Sequence, residues 1–423
     1  MPGILLKNVS VDGRPCDISI DGGKFSHIVP AGEFVKLFPA CGYDILDCSG
    51  QAAIPGLVNS HTHAAMSLMR GVGEDMLFHD WIKRIWDIEK GIDREFVYWG
   101  TKVACLEMIR TGTTVFNDQY WFSSAGREAA VEMGILPAIS YIFLEGDGRP
   151  SAEEQKRKCQ KWYDASLEWN GRSIFTVSVH SVYTVSKDLI VWASDFARDH
   201  GLKLHIHVSE TLKENLDCKA AHGGLSPVRY LHSLGVLSPD VIAAHSLWLD
   251  DDDVRILGDN GVSCVHNINS NLKLSSGYKF RYSELRDAGA NVCIGTDGCA
   301  SSNNLDILEA LKTAAIVQKA WREDPSVMPL DQLMAMATVN GARALGLDSG
   351  VIQEGKRADI CLADTRSSFF LSPAPFLANL VYSAHSDCIR TVIAGGKVVM
   401  KDRVIPGEEE ILEGASKVLS KLK

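Results

Sequence analysis

Between residues 54 and 346, short apolar runs recur with longer stretches of helical periodicity between them. The runs are "GLVNSHTH" (56–63), "TTVFND" (113–118), "LPAISYIFL" (136–144), "IFTVSVHSVY" (174–183), "KLHIHVSE" (203–210), "VIAAHS" (241–246), "VSCVHNINS" (262–270) and "NVCIGTDG" (291–298). Strands alternating with helices point to βα units and a parallel sheet. Eight such units in fewer than about 300 residues is the number that closes a (β/α)8 TIM-like barrel within the α/β class. The competing arrangement is an open doubly wound sheet. No Gly-x-Gly-x-x-Gly or phosphate-loop motif stands at a strand end to support it.

The two chain ends have a different rhythm. "GILLKNVSVDGRPCDISIDGGKFSHIVP" alternates short β-prone runs with turns at Asp12-Gly13 and Asp21-Gly22-Gly23, which predicts antiparallel strands. "ADICLADTR" and "CIRTVIAGGKVVMKDRVI", with a hairpin turn at Gly395-Gly396, predict the same near the other end. Residues 1–53 and 347–423 are therefore expected to pair into one small β domain, with 54–346 forming the barrel.

Charge narrows the function. The 423-residue chain carries a net charge of −10 and a pI near 5.7, a surface that repels phosphate backbones and anionic lipid. Neither nucleic acid nor a membrane is expected as a partner. Eleven cysteines show no CxxC and no disulfide-like spacing, which predicts reduced, mostly buried thiols. The opening "MPGILLKNVSVDGRP" lacks a basic start and an apolar signal core, and no apolar run reaches the ~18 residues of a membrane helix. A soluble cytoplasmic protein is expected.

Six of the eight runs end in side chains that bind metal or move protons: His61 and His63, His180, His207 and Glu210, His245, His266 with Asn267, and Asp297. In a barrel such ends converge on one face. Side chains alternate along a strand, so His61 and His63 share a side and can reach one ion. His207 and Asp297 complete a set suited to one divalent ion such as zinc, with a position left for water. His205 shares a face with His207 and is read as one layer deeper. Glu210 can move a proton between water and a substrate nitrogen, or simply favour a helix start. His245 can act on the water or support a ligand carboxylate. His79, His200, His222, His232 and His385 lack such convergence and are expected at the surface.

Taken in order, "PGLVNSHTHAAMSLMRG", "VSVHSVYTVS", "LHIHVSET", "AAHSLWLDDDDVRIL", "HNINSNLKLSSG", "GTDGCASSNNLDILEALKTA" and "GVIQEGKRADICLAD" resemble the amidohydrolase superfamily along essentially the whole chain. The resemblance is to its mononuclear deaminase branch, and within it to 5′-methylthioadenosine/S-adenosylhomocysteine deaminases and relatives acting on 5′-deoxyadenosine. It implies a distorted barrel with a composite β-sandwich domain, a homo-oligomer (dimer or tetramer), and one divalent ion, usually zinc, on His61, His63, His207 and Asp297. It further implies Glu210 as the proton shuttle, His245 and Asp297 acting on the attacking water, and a nucleoside substrate. The substrate would meet Trp81 at the purine, Glu89 at the ribose hydroxyls, His180, Glu210, and Arg149 near the 5′ substituent.

One departure bears on the substrate. The family often carries a second arginine at the end of strand 3, which helps hold a homocysteine carboxylate; here that segment reads "ISYIFLEGD". Three rivals are set beside the deaminase. A triazine chlorohydrolase or free-base deaminase would not need the Glu89–Trp81 pair. A binuclear enzyme of the hydantoinase kind would need a lysine at the end of strand 4, where "VSVHSVY" has none. A non-catalytic metal-binding scaffold would be expected to lack some of Glu210, His245 and Asp297.

Overall fold

The computed structural model describes residues 2–38 and 42–421; Cys41 lies outside them. Eight parallel strands follow one another around the barrel: β6 (Leu57–Thr62), β7 (Thr113–Asp118), β8 (Leu136–Phe143), β9 (Ile174–Ser181), β10 (Leu204–Val208), β11 (Val241–His245), β12 (Ser263–His266) and β13 (Asn291–Ile294), each hydrogen-bonded to the next. Every residue of β6 and β7 is buried, which is why these strands read as continuous runs and not as alternating ones. The first and last strands meet at the top, where the Asp297 N–H donates to the His61 carbonyl at 3.0 Å. Gly295 makes that approach possible: a Cβ there would lie 2.9 Å from the His61 backbone and 2.6 Å from Asn267 Oδ1.

Both chain ends build a second eight-stranded sheet. Its strands are β1 (Gly3–Val11), β2 (Arg14–Asp21), β3 (Lys24–Pro30), β4 (Tyr43–Asp47), β5 (Gln51–Pro55), β14 (Ile360–Asp364), β15 (Ile389–Ala394) and β16 (Lys397–Met400). β1–β3 and β14–β16 are antiparallel, as their turns predict, and β14 joins the two ends by lying antiparallel on β5. β4 and β5 depart from the expected antiparallel pattern. They lie end to end along β1 and run parallel to it. No hairpin turn joins them to β3; a short helix, Phe34–Leu37, stands in the connection.

Alternation along β14 shows where the cores lie. Ile360 and Leu362 pack with Ile4, Leu6 and Ile18 inside the sheet layer, while Cys361 and Ala363 join the main core beneath the barrel helices. The helix Glu408–Lys421 then leaves the sheet and packs on the barrel helix Arg94–Arg110, with Gly414 against the Trp99 ring and Arg110 paired to Glu408 at 2.5 Å. Among the described residues no helix is long and apolar enough to cross a membrane. Among the described residues ten cysteines are unpaired, nine of them buried.

Candidate active site

The strand ends converge as their sequence positions suggest. His61 is fully buried on β6, and His63 follows that strand directly; their rings stand nearly perpendicular, 4.9 Å apart. The His207 ring, from β10, is 4.9 Å from His61 and 5.4 Å from His63. Asp297 sits three residues past β13 in a left-handed conformation (φ +61°), which swings its carboxylate inward. Its Oδ1 is 3.4 Å from His61 Nε2 and 3.2 Å from His63 Nε2. Ser270 and Ser301 donate to Oδ2 at 2.6 and 2.9 Å, and the Gly298 N–H donates to Oδ1 at 2.9 Å.

Outer contacts set the ring tautomers. His63 Nδ1 donates to the Gln119 carbonyl at 2.5 Å and His207 Nδ1 to the His180 carbonyl at 2.7 Å, which turns both Nε2 atoms inward. His205 has no exposed surface and meets His61 Nδ1 at 2.8 Å through one nitrogen and the Asn117 amide at 3.2 Å through the other. It lies behind His61, one layer down. His245, at the end of β11, accepts from the Asn271 amide at Nδ1 (2.9 Å). In the neutral ring this puts the proton on Nε2, which lies 3.8 Å from Glu210 Oε2. Donor atoms of His61, His207 and His245 lie within 4.8 Å of one another, as do those of His61, His63 and Asp297.

Electrostatics divides the acids. Burial raises the Glu210 pKa well above the carboxylate range, and the nearby charges of Asp297 and Glu214 add to it. Burial acts on Asp297 in the same direction, but hydrogen bonds and charge from His61 and His63 outweigh it and hold this carboxyl well below its usual range. Burial lowers His207 well below an ordinary histidine and His245 to about 3, so both are neutral. For His63 burial is overcome by Asp297, which pushes it up to about 9.

Above this cluster opens a cavity. Trp81, Glu89, His180 and Glu210 line it, as do His63, His207, His245 and Asp297. Arg149 does not; its guanidinium stacks 4.3 Å over Trp121, which does. The sequence reading missed much of the aromatic wall. Phe78, Ile82, Ile85 and Trp86 come from the same helix as Trp81 and Glu89, Phe78–Glu89, and their spacing of three and four residues marks one face. Tyr120 and Trp121 stand two and three residues past β7, in "NDQYW". The five histidines expected at the surface are all at least partly exposed, outside this cluster.

Residues 52–399 match the family model described as Amidohydrolase family. The chain belongs to the amidohydrolase family. It is 42% identical to a 5′-deoxyadenosine deaminase of Methanoregula boonei, over 99% of this chain and 95% of that protein. It is 40% identical to 5-methylthioadenosine/S-adenosylhomocysteine deaminase 1 of Archaeoglobus fulgidus, over 99% of each. Among solved structures it superimposes with a TM-score of 0.93 on a zinc-bound adenosine deaminase from Xanthomonas campestris, at 28% identity and covering 99% of this chain and 98% of that one.

The cluster of this amidohydrolase fits the ion its family implies. His61 Nε2 is buried without a hydrogen-bond partner, 3.4 Å from Asp297 Oδ1. An orphaned imidazole nitrogen between further imidazoles and a carboxylate is a zinc-type donor set.

Proposed function

We propose that this amidohydrolase is a hydrolytic deaminase of 5′-modified adenosines, among them 5′-deoxyadenosine, 5′-methylthioadenosine, S-adenosylhomocysteine and adenosine, releasing ammonia and the inosine analogue. The observation that carries the reading is the placement of Glu210, lining the cavity between the His/Asp cluster and an aromatic wall, 3.8 Å from His245 Nε2. The names of the two sequence relatives point to the same substrates.

One divalent ion, which we take to be zinc on His61, His63, His207 and Asp297, would acidify a water so that it can attack at neutral pH. The chain's own groups do the rest. Glu210 protonates ring nitrogen N1, which draws electrons from carbon 6. Asp297 accepts the proton of the attacking water. His245, neutral and at the cavity wall, orients that water. The C6–O bond forms as the C6=N1 double bond opens. Glu210, now ionised, takes the second water proton from the new C6 hydroxyl and gives it to the amino group; the C6–N6 bond then breaks, C6=O forms and ammonia leaves. The proton held by Asp297 passes back to Glu210, which restores both groups.

In this reading Trp81 packs on the purine, His180 contacts the nucleoside, and Glu89 accepts from the ribose hydroxyls. Burial raises Glu89, against the hydrogen bonds of Trp121 and Tyr120. Arg149, pinned on Trp121, approaches the 5′ end from behind the wall. We further propose a cytoplasmic homo-oligomer, a dimer or tetramer. Its cytoplasmic setting is supported by the unpaired thiols.

Deamination assays across adenosine, 5′-deoxyadenosine, 5′-methylthioadenosine, S-adenosylhomocysteine, guanine and a chlorotriazine test the function. Ammonia release from the nucleosides alone is expected. Turnover of only the free bases would overturn the reading.

A further inference from the structure

The turn that carries Glu210 is held by a second carboxylate, outside the catalytic cavity. β10 ends at Val208, and the chain leaves it through Ser209 at φ +54°, a left-handed value that a residue with a Cβ adopts at a cost. The Ser209 N–H donates to Glu214 Oε1 at 2.9 Å, and the Glu210 N–H donates to Glu214 Oε2 at 2.7 Å. Glu214 is 6% exposed and is the third residue of the helix Leu212–Ala221, whose cap Thr211 accepts from the Glu214 N–H at 3.1 Å. A glutamate at this position ordinarily returns to the N–H of the cap residue. This one, besides its pull on the cap amide of Thr211, accepts from the two amides before the cap, one on each oxygen.

The same turn is tied to the loop that carries His245. The Ser209 carbonyl accepts from Leu247 N–H at 3.2 Å and Trp248 N–H at 2.9 Å, and Ser246 N–H donates to the Val208 carbonyl at 2.9 Å. His245 and Ser246 are themselves left-handed, at φ +70° and +47°. Three strained residues thus meet at one junction, and the Glu214 carboxylate holds its Ser209–Glu210 side.

We propose that Glu214 is a positioning residue for the reaction: its two carboxylate oxygens fix the Ser209–Glu210 turn and thereby aim the Glu210 carboxyl at the substrate ring. This rests on the reading of Glu210 as the proton donor. A plain helix-start role for Glu214 would affect folding without acting through Glu210, which makes the two roles separable.

The test uses the metal-loaded full-length enzyme and the substitution Glu214→Gln. It has nearly the same shape, but its NH2 cannot accept a hydrogen bond, so one of the two amides loses its partner. Metal content should be unchanged, kcat should fall roughly 10- to 100-fold with KM nearly constant, and amide exchange in segment 208–212 should speed up. In a Glu210→Gln background, single-turnover rates should show almost no further loss, because the group being aimed is already disabled. If Glu214→Gln does not fold, Glu214→Asp, which keeps the charge but shortens the reach, serves for the same measurements.

Undiminished kcat, an equal fold-loss in both backgrounds, loss of the metal, or failure of both variants to fold would each overturn the proposal. If Glu210→Gln alone keeps full turnover, the proton-donor reading falls instead, and unchanged amide exchange in Glu214→Gln would show separately that the carboxylate does not hold the turn.

Discussion

Two carboxyl groups, Glu210 and Asp297, face one small volume and are driven in opposite directions, one toward holding a proton and one toward giving it up. Pairs separated in this way divide acid and base work between them. Replacing Glu210 by Gln should leave the metal in place and lower turnover by roughly 10²–10⁴; kcat measured beside metal content checks both halves. The sign of the pH dependence follows. Glu210 works only while protonated, so kcat should fall as pH rises through its elevated pKa, and that alkaline limb should be absent from the residual activity of Glu210→Gln. A pH–rate profile of the two proteins decides it.

At the scale of elements, the junction of β13 with β6 couples the closure of the barrel to the site. Gly295→Ala would press a methyl into the His61 backbone and the Asn267 amide, an overpacking that costs roughly 1–3 kcal/mol. It should also move Asp297, so denaturation midpoint and metal occupancy should fall together. The end of β8 bears on substrate choice. Ile142 faces the cavity there where relatives often carry an arginine, and Arg149, stacked on Trp121, is outside the lining although its charge reaches Glu89 and His180. A charge-assisted bond to a carboxylate contributes about 1.5–3 kcal/mol. The lack of one should make kcat/KM for 5′-deoxyadenosine and 5′-methylthioadenosine exceed that for S-adenosylhomocysteine by roughly tenfold or more, in a side-by-side measurement.

These elements also show what the sequence could tell. The barrel strands were legible because each is an apolar run closed by a polar residue, and His61, His63, His207 and Asp297 stood where such runs end. The aromatic wall was legible in principle, since Trp81, Ile85 and Glu89 share one helical face. The parallel course of β4 and β5 was not, because strand direction is set by partners distant in the chain. Nor was the support given by Glu214, Ser270 and Asn271, which depends on contacts that no local pattern announces.

At the scale of the whole molecule, the candidate metal ligands tie β6, β10 and the segment after β13 to one point. An ion bound only by the folded chain stabilises it by mass action. Chelation should lower Tm reversibly, and added zinc should restore it, as read by calorimetry. The composite sheet has a consequence of another kind. β5 meets β1 at a single residue pair and gains its long partner only when β14 emerges from the ribosome. Roughly 300 residues separate the two, so at about 5–20 residues per second the nascent chain carries an unpaired strand for some 15–60 s. Such an edge is a template for wrong pairing. Synthesis of this protein should therefore depend on protection by a chaperone during that interval, and ribosome-bound chains halted before Ile360 should be sensitive to protease at β5, Gln51–Pro55.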